Sequence, residues 1–169
     1  EIAQCLVGSE MCIRDSQKTP LEAPTTDKGP QAKKQKLLEE GLLKYCLRYH
    51  MLPEGWELLK NYPFTSPFRQ RLFDAMKSME GEITEQAVEG KLLREDIPLL
   101  AELAMEGDPP GSVPQEEYIW PLMKMYLQKE YRLHTEKVQS LMTSDPEEAR
   151  KEQMICIRLS KEIMALGRA

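Results

Sequence analysis

Residues 143–166 read TSDPEEARKEQMICIRLSKEIMAL, and this stretch decides the fold. Asp145 can accept a backbone N–H as an N-cap. Pro146 suits the first helical position, and Glu147 and Glu148 face the positive end of the helix dipole. A helix is therefore expected from Asp145 to about Leu166. At 100° per residue, Ile155, Cys156, Leu159, Ile163 and Leu166 share one side. Met154, Ile157 and Met164 fall nearly opposite, beside Arg150, Lys161 and Arg168. Upstream, Ser112 and Gln115 have the spacing of a capping box that opens a helix running to about Met142, with a break or kink at Pro121. Two long helices joined only by Thr143-Ser144 must fold back as an antiparallel hairpin. The first apolar stripe then packs on the partner helix, where Ile119, Met123, Leu127, Val138 and Leu141 share a side. A two-helix hairpin cannot cover both stripes of its second member. The remaining stripe calls for the chain's own bundle, a second copy or a different protein.

Working outward, Asp108-Pro109-Pro110-Gly111 is a strong breaker, and it separates the long helices from five shorter ones. The first of these starts at Lys36, with Leu37, Leu38, Leu42, Tyr45, Cys46 and Tyr49 on one face, and ends before Pro53. A short helix follows over Glu54–Tyr62. A third is capped by Ser66-Pro67, a fourth by Thr84, and a fifth spans Ile97–Met105. No strand-like alternation competes past residue 36. The expected fold is all-α: a small five-helix bundle over 36–107, then a long two-helix antiparallel hairpin over 112–169. Residues 17–35, with Pro20, Pro24, Gly29 and Pro30 among polar residues, read as a disordered linker. Residues 1–16 contain LVGSEMCIRDS, which reads as a translated sequencing adaptor and is set aside from the fold. The opening Glu1 and the linker together read as a fragment of a longer protein.

Composition narrows the function. A net charge of −5 and a pI near 5.3 do not suit a surface that grips phosphate backbones, so no direct nucleic-acid binding is expected. No run of 18 apolar residues exists, so no membrane span is expected either. Cys5, Cys12, Cys46 and Cys156 form no CxxC and have no His at ligand spacing. Cys5 and Cys12 fall in the adaptor-like segment and drop out with it, and the scattered cysteines read as reduced thiols of a cytoplasmic protein, with no metal site. No glycine-rich phosphate loop, HExxH or GxSxG occurs, so no catalytic residue is assigned. Glu116-Glu117 and Glu147-Glu148 are dipole partners at helix starts, and His134 lies on the packing side of its helix, at the core or its edge.

The order of parts resembles the C-terminal helicase-binding domain of bacterial DnaG-type primases. The segment LLEEGLLKY at 37–45 is similar to the leucine-rich helix that opens that domain. Phe64, Arg69 or Arg71, Leu72, Phe73 and Ala75 approximate its second signature helix, and LLAELA at 99–104 its next segment. Asp145 to Leu166 resembles the turn and final amphipathic helix of its terminal hairpin. The likeness spans roughly residues 36–167, and Trp120-Pro121 departs from it by placing a proline early in the hairpin.

The resemblance implies a non-enzymatic docking module that tethers primer synthesis to the N-terminal domain of the hexameric replicative helicase. Zinc and magnesium would belong only to upstream domains. On this reading Met154, Ile157, Lys161, Met164 and Arg168 contact the helicase, and Ser144, Asp145, Pro146 and Glu148 form the hairpin turn and cap. The N-terminal collar domain of the DnaB-type helicase resembles the same bundle and is the alternative. The hairpin favours primase.

Overall fold

The computed structural model describes residues 29–105 and 113–167. The adaptor-like residues, the linker up to residue 28, the Asp108–Gly111 breaker, Ser112 and Arg168 lie outside them. Every regular element among the described residues is helical, with no strand. Helix α1 spans Pro30–Tyr49, and a 3₁₀ turn covers Trp56–Leu59. Helices α2 (Pro67–Lys77) and α3 (Glu85–Glu89) follow. A 3₁₀ turn at Arg94–Asp96 leads directly into α4 (Ile97–Met105). A π turn over Gln115–Ile119 precedes α5 (Trp120–Leu141), and α6 spans Pro146–Leu166.

The expected linker is too long by one and a half turns of helix. Gly29 is extended and Pro30 takes the first helical position, so α1 begins six residues before Lys36. Gln31 to Gln35 are helix-compatible residues, and the early turn is fixed from outside. Gln35 Nε2 donates to the Tyr62 hydroxyl at 2.6 Å and to Glu39 at 3.3 Å. The second expected helix shrinks to a 3₁₀ turn. It follows Gly55, which sits in the left-handed region at φ 80° with Gln115 packed against it.

One core joins Leu42, Leu43 and Cys46 of α1 to Leu72, Phe73 and Met76 of α2, with Val88, Leu100 and Leu103 closing it. Tyr118, Ile119 and Leu122 belong to the same core. The base of the hairpin is thus part of the bundle, and the expected division into separate units at 107 and 112 does not follow the packing. Gly41 shows why the fit is close. A Cβ there would collide with the ring of Tyr118, which packs against α1 at this point.

A buried carboxylate ties α1 to the segment before α2. Glu39 accepts from the Tyr62 hydroxyl at 2.9 Å, the Thr65 amide at 3.1 Å and the Thr65 hydroxyl at 2.8 Å, and pairs with Arg69 at 3.2 Å. Every partner is satisfied, which is what a charge in a core requires. Arg71 serves a different site, holding the buried Asp96 through two hydrogen bonds of 2.8 and 2.6 Å.

Candidate functional site

The hairpin turn follows its local chemistry. Asp145 caps α6, its side chain accepting from the Glu148 amide at 3.1 Å, and its own amide donates to Leu141 at the end of α5 at 2.8 Å. Pro146 takes the first helical position. The Ser144 hydroxyl reaches back to the Ser140 carbonyl at 3.4 Å. The Glu148 carboxylate pairs with Lys151 at 2.7 Å. The Pro121 break takes the form of the π turn at Gln115–Ile119. It leaves the proline in the first turn of α5, where a missing N–H goes unused.

Helix α6 packs principally on α5. Leu127 and Leu159 are buried in the seam, with Val138, Leu141, Ile155, Cys156, Ile163 and Leu166 half-buried around them. Ile119, expected here, lies in the bundle core instead, and Met123 packs against that core. The π turn ends at Ile119, so it shifts that residue out of the regular α5 stripe. At mid-seam the nearly buried Glu152 hydrogen-bonds His134 Nδ1 and lies 3.7 Å from Lys137. His134 Nε2 is 3.9 Å from Glu130. The His134 hydrogen bond, helped by Lys137 and opposed by desolvation, holds the Glu152 carboxyl below the usual carboxylate range. Composition gave no hint of this cluster. It appears only once α5 and α6 are placed in register.

Among the described residues, nothing covers the outer side of α6. Met154, Ile157 and Met164 are 66%, 50% and 53% exposed, and Lys161 and Arg150 are exposed beside them. The bundle therefore does not cover the second stripe, which was one of the three covers considered. No protein-family model matches this chain, and no curated protein or solved structure matches it. The surface must be read from its own chemistry. Met is flexible and polarizable, so a row of Met and Ile between cations presents an adaptable apolar strip.

Elsewhere, a groove of about 850 Å³ runs between the first turns of α1 and the middle of α5, lined by Lys34, Gln35, Phe64, Tyr126, Lys129 and Arg132 among others. Among the described residues no group of three or more His, Cys, Asp or Glu is placed to hold a metal ion, and no helix is long and apolar enough to cross a membrane.

Proposed function

We propose that this chain is the helicase-docking part of a bacterial DnaG-type primase, and that the outer face of α6 is its docking surface. The carrying observation is that this amphipathic face is left uncovered by the other described residues, with three large apolar side chains exposed. A helical hairpin that projects such a face from a small bundle suits a tether. Docking it on the N-terminal domain of the hexameric helicase raises the local concentration of primase at unwound template without any chemistry by these residues. The reading assigns them no catalytic role and no metal. The collar domain of the helicase would account for α1–α4 equally well, but it gives no purpose to the projecting hairpin.

Titration calorimetry of the chain against the N-terminal domain of a bacterial replicative helicase tests the reading, with light scattering of the chain alone beside it. Saturable binding by a monomeric chain is expected. A chain that forms a ring and ignores the helicase domain would give the collar reading instead.

A further inference from the structure

Helix α6 carries two rows with the same spacing. The inner row is Glu152, Cys156, Leu159, Ile163 and Leu166, in alternating steps of four and three. The outer row is Arg150, Met154, Ile157, Lys161 and Met164, also in steps of four and three. Two positions separate them, about 200° around the axis. Alternating four–three steps mark a seam that packs knobs into holes along a neighbouring helix at a shallow angle.

The inner row shows what covers such a seam in this protein: a helix, α5. It also shows how a charge in the seam is met. Glu152 is answered by His134 and Lys137 of the covering helix. The outer row has charges of the opposite sign. Arg150 and Lys161 are exposed and have no ion-pair partner among the described residues.

Resting on the docking reading above, we infer that the partner covers the outer row of α6 with one α-helix, whose apolar seam is flanked by carboxylates placed to meet Arg150 and Lys161. The two cations are eleven residues apart, about 16 Å along the axis, so the partner's acids lie about three turns apart. A second copy of this chain is not suited to the parallel register or to the antiparallel register centred on the row. In parallel pairing Lys161 would face Lys161. Antiparallel pairing about Ile157 would set Arg150 near Met164 and Met154 near Lys161. Between Arg150 and Met164 the row holds no carboxylate, so in either of these two registers the cations meet no counter-charge from the row. Phosphate backbones fit poorly as well, since they favour clustered cations and gain nothing from the intervening Met and Ile.

The test titrates the full chain against the N-terminal domain of a bacterial replicative helicase at low and moderate salt, wild type beside the double variant Arg150→Glu, Lys161→Glu. Both side chains are exposed and lie off the α5 seam, so the variant should keep the wild-type melting temperature. Wild-type binding is expected to weaken with salt, and the double variant to bind about tenfold or more weakly. Two carboxylate-to-lysine changes on a single helix of the helicase domain are expected to restore it. Equal affinities for wild type and variant would overturn the charged helical seam while leaving the docking reading in place. No binding by the wild type would overturn the docking reading and this inference with it. A dimer in light scattering that is lost in Met164→Asp would assign the row to a second copy. Binding of a labelled single-stranded oligonucleotide that the double variant loses would assign it to phosphate. Either result overturns the inference.

Discussion

Single residues separate what local pattern reveals from what only packing reveals. Arg69 and Arg71 are interchangeable in the sequence, each a candidate for one position of a family signature. In the fold one neutralises the buried Glu39 and the other grips Asp96, 25 positions away. Gly41 reads as a weak point in α1, where alanine would add up to about 1 kcal/mol of helix stability. The structure reverses that sign. The ring of Tyr118 is buried against Gly41 and cannot step aside freely. Gly41→Ala is expected to destabilise the protein by about 1–3 kcal/mol, as overpacking does, and denaturant unfolding would measure it. Cys46 also behaves as its setting dictates. It is fully buried, and desolvation pushes its thiol up to about 12. At pH 8 its alkylation, followed peptide by peptide by mass spectrometry, should proceed only as fast as the protein opens. Prompt labelling in the folded state would show that α1 is not packed as described.

At the scale of elements, the legible features were those with local causes. The Asp145 cap, the proline at the start of α6, the Thr84 cap and the two stripes of the last helix follow from residues within a few positions of one another. Asp145→Ala should remove one capping bond and cost about 1 kcal/mol, seen as a lower unfolding midpoint. The early start of α1 was not legible, because Gln35 is anchored by Tyr62, 27 positions on. The π turn was foreshadowed only by Pro121. The His134–Glu152 pair needed the hairpin register, which sequence periodicity leaves free by a turn. That pair has a definite pH consequence. The carboxyl of Glu152 is held below its ordinary value, so its contribution is present above the unfolded carboxylate range and is lost as pH falls through the folded value. Glu152→Gln should therefore be less stable than wild type at pH 7, and the gap between their melting temperatures should close as pH drops below about 4. A gap that does not change with pH would mean that the seam does not rely on the charge.

For the whole molecule, the all-α class and the closing hairpin were evident from punctuation alone: proline, glycine and caps at the ends of periodic runs. The separation into bundle and hairpin was not, because Tyr118, Ile119 and Leu122 commit the foot of α5 to the bundle core. That arrangement plants the hairpin rather than hanging it from a hinge, and it leaves one long face of α6 without a neighbour among the described residues. The docking account stands on that face. Its most direct test is the affinity of the chain for the N-terminal domain of a bacterial replicative helicase, measured for wild type, Ile157→Asp and Met164→Asp. All three should share one fold by circular dichroism, since both side chains already lie in water. The account predicts saturable binding by wild type and a loss of about tenfold or more in each variant. Equal affinity across all three would contradict it.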